Sequence, residues 1–162
     1  MPLLAILLSV LALVPFIVCG LAALGTNPDM AGRMMDVLIG YAALALAFVG
    51  GIHWGFELQP VQQVQQTPHQ GSRAGRTRLA LGILPLLGGW IALVLPLVVA
   101  AWVSLILLIV LYIAAVLVEQ EAGRRDLLPP HYLWLRWGFT VVAVAMLVTV
   151  VTLRLLGQTI SF

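Results

Sequence analysis

Long stretches without a charged residue alternate with short polar segments along this chain. Leu3–Leu24 is the first such stretch, Val37–Phe56 is the second, and the segment Gly25–Met35 between them is predicted to be a short polar loop. A helix of about 20 apolar residues crosses the hydrocarbon core of a bilayer, so each stretch predicts one transmembrane helix. No basic segment precedes the first stretch and no small-residue cleavage site follows it, which favours a retained span over a signal peptide.

The stretch Leu79–Val118 is too long for one crossing, because a single helix of that length would be about 60 Å long, twice the hydrocarbon thickness. Pro96 lies near its middle and lacks a backbone N–H, so we predict a hairpin around Leu95–Leu97. Trp137–Leu153 is the last apolar stretch. The pattern therefore predicts an all-α fold in a single transmembrane domain, residues 1–162, with spans at approximately 3–24, 37–58, 79–95, 98–118 and 136–156.

The distribution of arginine predicts the orientation of these spans. With five spans the two ends of the chain lie on opposite sides of the membrane. Two arginines, Arg33 and Arg154, fall on the C-terminal side, and six fall on the N-terminal side. Arginine-rich loops stay in the cytoplasm, which predicts an N-in, C-out protein of the bacterial inner membrane. The six are Arg73, Arg76, Arg78, Arg124, Arg125 and Arg136.

Composition supports the membrane interpretation and excludes several classes of protein. The chain has 162 residues, of which 62% are hydrophobic and 9% charged, and its mean hydropathy is +1.11. So few polar residues cannot cover a soluble core of this size, which excludes a soluble enzyme and a disordered chain. The net charge of +2 is too small to indicate a nucleic-acid partner. The expected surroundings are the lipid bilayer and other membrane proteins.

The second span carries a stripe of small residues. Ala43, Ala47, Gly51 and Gly55 recur every four residues, which places them on one face of a helix. Small side chains let a neighbouring helix approach closely, so this stripe is predicted to be a helix-packing surface. Nearly opposite it lies a polar face, which predicts that the second helix has neighbours on both sides.

That polar face holds His53 and Glu57, which with the adjacent Trp54 form the first group of candidate binding residues. An ionisable side chain within a span is a functional hypothesis by default. His53 has several interpretations: a haem ligand, a metal ligand with Glu57 and His131, a hydrogen-bond partner for a quinone, or a neutral imidazole bonded to a neighbouring helix. We expect no metal and no resident cofactor, and haem and quinone remain the alternatives.

A second polar group, His131, Tyr132 and Arg136, lies at the entry to the last span on the same side of the membrane. These residues are further candidates for binding a ligand or partner. Arg136 is predicted either to pair with an acidic residue or to reach the headgroups as an anchor. Its candidate acidic partners are Glu57, Glu119, Glu121 and Asp126. The hydroxyl residues within the spans, among them Tyr41, Ser104, Tyr112 and Thr140, are expected to bond mostly within their own helices.

Several segments resemble the transmembrane-protein-69-like family, a family of unknown function found in bacteria and in mitochondria. The resemblance is most specific in the Gly-Gly-Ile-His-Trp-Gly block within Tyr41–Gly55. It continues through Val14–Phe16, Leu81–Trp90 and the run from Asp126 to Thr140. His131 stands where that family usually has tryptophan. The resemblance implies a five-helix inner-membrane protein, and because position 53 in the family can hold arginine, it favours a hydrogen-bonding role over metal or haem ligation.

The sequence contains no nucleophile motif, no series of acidic residues for a proton relay and no inverted repeat. We therefore predict a non-enzymatic membrane protein that acts as an accessory subunit or assembly factor of a larger complex, with respiratory complexes among the candidates. The alternative is a small membrane protein that binds or moves a lipophilic ligand such as a quinone, a porphyrin or a lipid.

Overall fold

The computed structural model is all-helical over the part of the chain that it describes. The backbone is described for residues 3–25, 27–58, 71–124 and 130–160, and side-chain surroundings for residues 6–25, 27–51, 82–121, 124 and 132–157. The sequence predicts loops over Gln59–Arg78 and Glu119–Trp134. Their parts at 59–70 and 125–129, the latter including Asp126, lie outside the described residues, and the loop prediction is wrong for the remaining parts, which are helical. The elements are α1 (Leu3–Ala23), α2 (Pro28–Leu58), α3 (Gly71–Val94), a 3₁₀ turn (Leu95–Leu97), α4 (Ala101–Arg124) and α5 (Pro130–Ile160).

Four of these helices are long and apolar enough to cross a membrane, which confirms a multi-pass helical membrane protein. The apolar segments are Ile6–Ala23, Pro28–Gly51, Ala101–Glu121 and Tyr132–Gly157. Within the described residues, Gly82–Leu97 at the end of α3 is a shorter apolar helix. The count of five spans and their orientation stay predictions.

The start of α2 differs from the sequence prediction. The Asn27 side-chain oxygen accepts hydrogen bonds from the backbone N–H groups of Asp29 and Met30, at 3.1 and 3.2 Å. An asparagine in this position caps a helix, and Pro28 at the first helical position needs no N–H partner. The helix therefore begins at Pro28, and the prediction of a loop over Gly25–Met35 is wrong for most of its length.

The predicted hairpin between α3 and α4 is confirmed. The chain turns at the 3₁₀ segment Leu95–Leu97, which contains Pro96. The Leu95 carbonyl accepts hydrogen bonds from the N–H groups of Val98 and Val99, at 3.1 and 3.0 Å. The turn thus satisfies a carbonyl that the end of α3 would otherwise leave without a partner.

The helices form a closed ring in chain order. Each helix packs against the next, α5 returns to α1, and α2 also contacts α4 across the ring. The prediction that α2 has neighbours on both sides agrees with its contacts to α1, α3 and α4. Apolar side chains fill the interior, the largest being Phe16, Leu38, Ile39, Leu46, Leu105, Leu108, Tyr112 and Leu147.

Four aromatic rings join four helices inside the ring. The Phe16 ring of α1 lies edge-on to Tyr41, Tyr112 and Phe139, with centroids 5.2, 6.1 and 5.8 Å away. The two tyrosine hydroxyls donate to carbonyl oxygens of other helices: Tyr41 to Ala12 at 2.8 Å and Tyr112 to Ala42 at 2.9 Å. The expectation that such hydroxyls bond within their own helices is therefore wrong for both tyrosines.

The outer surface of the ring is strongly apolar. Large hydrophobic side chains are exposed on every helix, as at Leu11, Phe48, Trp90, Val110 and Val141. A soluble protein rarely exposes contiguous apolar patches of more than a few hundred Å². The surface therefore fits contact with lipid over most of its area.

Candidate functional site

A buried ion pair joins α4 to α5. The Arg136 Nε group donates to the Glu119 Oε2 atom at 2.8 Å, and the two side chains are 4% and 1% exposed. Of the acidic partners that the sequence allowed for Arg136, the structure places Glu119 against it. The alternative of a headgroup anchor does not fit, because an anchoring side chain would reach the surface. Each charge compensates the other in a region where an isolated charge is costly.

Arg136 belongs to a row of polar residues on one face of α5. Tyr132, Arg136 and Thr140 are spaced four residues apart, so they occupy successive turns of the same face. Tyr132 is half-buried, whereas Arg136 and Thr140 are buried. Towards the far end of α5 this side continues with the apolar residues Ala143, Leu147 and Val150, which are fully buried.

Two side chains of this row, Arg136 and Thr140, have hydrogen-bonding groups without a partner among the described residues. Among the described residues, neither the Nη1 nor the Nη2 group of Arg136 has a hydrogen-bond partner, and the Thr140 hydroxyl has none either. A guanidinium group carries five N–H donors, and the ion pair uses one of them. Because buried donors are normally satisfied, such a cluster calls for an explanation.

Thr149 shows what a threonine hydroxyl on this helix ordinarily does. Its Oγ1 atom donates to the Ala145 carbonyl four residues earlier, at 2.8 Å. This is the common bond of Ser and Thr within helices. The buried Thr140 hydroxyl does not make this bond and has no hydrogen-bond partner among the described residues, so it can donate to an acceptor that approaches from another part of the bundle.

The structure describes two of the six predicted binding side chains. Tyr132 and Arg136 lie one turn apart on α5. The backbone positions of the other four fall within helices, but their side chains lie outside the described residues: His53, Trp54 and Glu57 on α2, and His131 on α5. Among the side chains that are described, no group of three His, Cys, Asp or Glu residues is placed to hold a metal ion.

The small-residue packing of α2 is offset from the predicted stripe. A Cβ atom at Gly50 would collide with the Gly82 carbonyl oxygen of α3. One at Gly89 of α3 would lie 2.8 Å from the Ala43 carbonyl oxygen. The predicted Ala43 therefore lies in the close contact with α3, whereas Gly50 and not Gly51 makes the second approach. Gly55 lies outside the described side chains.

The remaining part of the stripe faces outwards. No described atom lies within 4 Å of a Cβ built at Gly51, and Ala47 is half-buried. Next to them, Leu44 is 66% exposed and Phe48 is 74% exposed. These four residues, Leu44, Ala47, Phe48 and Gly51, are called the outer α2 surface below. It is a patch of small residues beside large apolar ones that the described residues leave uncovered.

Glu119 and Thr140 were not among the six predicted binding residues, although Glu119 was one of the candidate partners of Arg136. The sequence predicts Glu119 as the first residue of a loop, because it follows the charge-free run. In the structure it lies within α4, five residues before the end of that helix. The sequence could have indicated this, because Glu, Gln and Ala are good helix formers and a helix does not have to end at its first charged residue.

The family comparison covers almost the whole chain. Residues 1–152 match the model of DUF3429, described as a protein of unknown function. No curated protein and no solved structure matches the chain. The similarity to the transmembrane-protein-69-like family stays a prediction. By the extent of its match, the chain belongs to the DUF3429 family, whose function is not known.

Proposed function

We propose that this protein is an accessory subunit or assembly factor that docks against a larger membrane complex. The outer α2 surface carries the proposal. Small residues at a helix surface allow close approach of another helix, which is how membrane helices associate without a hydrophobic driving force. Within the chain, Ala43 and Gly50 serve this purpose towards α3, and the outer α2 surface offers a similar combination to a helix from another protein.

Replacing Gly51 by leucine tests the proposal without disturbing the fold. No described atom lies within 4 Å of a Cβ at this position, so we expect the monomer to fold as before. It would occupy the place of an approaching helix, and we expect at least a tenfold loss of the assembly that contains the tagged protein. The measurement is native gel electrophoresis of membranes solubilised in mild detergent, with the partner identified by mass spectrometry.

Gly138→Leu is the matched control, because Gly138 on α5 is also exposed and no described atom lies within 4 Å of a Cβ built there. It should leave the assembly intact. Equal loss in both variants would contradict a specific docking role for α2. So would a native protein that runs as a lone, monodisperse monomer.

The proposed location is the bacterial inner membrane, with five spans and the N-terminus in the cytoplasm. The six arginines on one side against two on the other support this orientation. Alkaline phosphatase is active only outside the cytoplasm, so a fusion at the C-terminal end of α5 should be active and one in the loop after α2 inactive. The reverse pattern, or activity at both positions, would contradict the proposal.

A second candidate function is the binding of a lipophilic ligand. The spare donors of Arg136 and Thr140 favour it, because polar groups that fix a ligand are few and precisely placed in an apolar site. Ligand binding at Arg136 and Thr140 is independent of docking, because these residues lie on α5 and not on the outer α2 surface. His53, Trp54 and Glu57 on α2, whose side chains lie outside the described residues, stay separate predicted candidates for binding such a ligand.

A further inference from the structure

We propose that Arg136 and Thr140 together bind a neutral carbonyl oxygen of a membrane-soluble molecule at the contact between α4 and α5. The inference rests on the second candidate function and names its ligand chemistry. The observation behind it is the cluster of buried donors: the two NH₂ groups of the Arg136 guanidinium, and one turn away on the same face the Thr140 hydroxyl, all without hydrogen-bond partners among the described residues.

The charge of the site selects a neutral ligand. Glu119 already compensates the positive charge of Arg136 through the 2.8 Å contact. Among the described residues these two charges cancel, so an added carboxylate or phosphate would leave the ion pair with a net negative charge, which is costly in a medium of low dielectric constant. A carbonyl oxygen accepts hydrogen bonds through two lone pairs and adds no net charge.

The depth of the site agrees with this chemistry. Glu119 directly follows the charge-free stretch that ends at Val118, and Arg136 directly precedes the one that begins at Trp137. Both residues therefore stand at the ends of apolar stretches of membrane-spanning length. This is the border of the hydrocarbon core, which the ester carbonyls of phospholipids and the head of a lipid-soluble quinone can both reach. The half-buried Tyr132 marks the more open end of the row.

The choice of lipid distinguishes the two possible sources of the carbonyl, a phospholipid ester and a quinone. The full-length protein is placed in nanodiscs of dialkyl-ether phosphatidylcholine, which has no ester carbonyl. One arm adds diester phosphatidylcholine with a ¹³C-labelled carbonyl, and the other adds a short-tailed benzoquinone with the same label. Infrared spectroscopy then follows the labelled C=O stretch, which moves to lower frequency when a guanidinium group donates to the oxygen.

We expect a saturable, shifted C=O band in one of the two arms, and that arm identifies the source. Thr140→Val removes the hydroxyl but keeps the ion pair, and it should weaken binding about tenfold. Arg136→Lys keeps the positive charge but loses the Nη groups, and it should abolish the shifted band. Thr149→Val is the matched control, because that hydroxyl bonds within its own helix and should not affect binding.

No saturable band in either arm would overturn the proposal, as would equal effects of Thr140→Val and Thr149→Val. Tighter binding of a long-chain carboxylate than of either carbonyl probe would overturn the choice of a neutral ligand. Circular dichroism and gel filtration of each variant exclude loss of folding as the cause. Because Gly51→Leu should leave this binding unchanged, a failure of the docking proposal and a failure of this inference are distinguishable.

Discussion

Arg136→Leu is expected to lower the free energy of unfolding by about 3–5 kcal/mol, because it leaves the Glu119 carboxylate buried without its compensating charge. Glu119 is 1% exposed, so the carboxylate cannot reach solvent without moving α4. The measurement is reversible unfolding in mixed micelles of a mild detergent and dodecyl sulfate, followed by circular dichroism.

The double variant Glu119→Leu/Arg136→Leu separates the ion pair from simple packing. Replacing both partners by apolar side chains removes the desolvation penalty together with the attraction, so it is often neutral or stabilising. We expect its free energy of unfolding to lie within about 1 kcal/mol of the native value, well above that of the single variant. If the double variant were as unstable as Arg136→Leu alone, the loss of stability would not come from an uncompensated Glu119 charge, and the described ion pair would be contradicted.

Gly50→Leu is expected to lower the free energy of unfolding by about 3 kcal/mol, which is the upper end of the usual range for overpacked positions. A Cβ at this position collides with a backbone carbonyl of Gly82, which cannot rotate away as a flexible side chain can. Relief requires α2 and α3 to move apart, and this movement would also open the contact between Ala43 and Gly89. The same micelle titration measures the loss.

The adjacent Gly51→Leu serves as the control for Gly50→Leu. It adds the same side chain to the same helix, but no described atom lies within 4 Å of its Cβ. Exposed substitutions usually change stability by no more than about 0.5 kcal/mol, and we expect that here. Equal destabilisation by the two substitutions would mean that the close approach of α2 and α3 at Gly50 is not as described.

The sequence was sufficient for features that depend on a single helix. The length of Leu79–Val118 forced a reversal, and Pro96 placed it correctly at Leu95–Leu97. The start of α2 could have been predicted from the sequence in the same way, because asparagine followed by proline is a common helix start, as at Asn27 and Pro28. It was missed because Asp29 and Arg33 gave the segment the composition of a loop, although charged residues are common in a first turn.

Features that depend on two helices could not be predicted. Periodicity placed small residues on α2, but the rotation of α2 against α3 decided that Gly50 and not Gly51 makes the close approach. Similarly, several acidic residues were within reach of Arg136. The register between α4 and α5 selected Glu119, and register depends on the packing of many side chains rather than on local pattern.

The two proposed functions use different parts of the ring. The outer α2 surface faces away from the bundle, while the donors of Arg136 and Thr140 lie inside it on α5. A protein that docks through one helix can hold a small molecule between two others. Variants on α2 and on α5 can therefore be combined, and effects on docking and on ligand binding are expected to be independent.

Site-specific photo-cross-linking from position 48 tests the docking account most directly. Phe48 lies within the outer α2 surface and is 74% exposed, so a benzoyl-phenylalanine there replaces an aromatic side chain with little change to the fold. Val141 on α5 is 57% exposed and provides the matched control position. We expect one discrete protein adduct in native membranes from position 48 and no protein adduct from position 141. Adducts to lipid alone from position 48, or the same protein adduct from both positions, would contradict it.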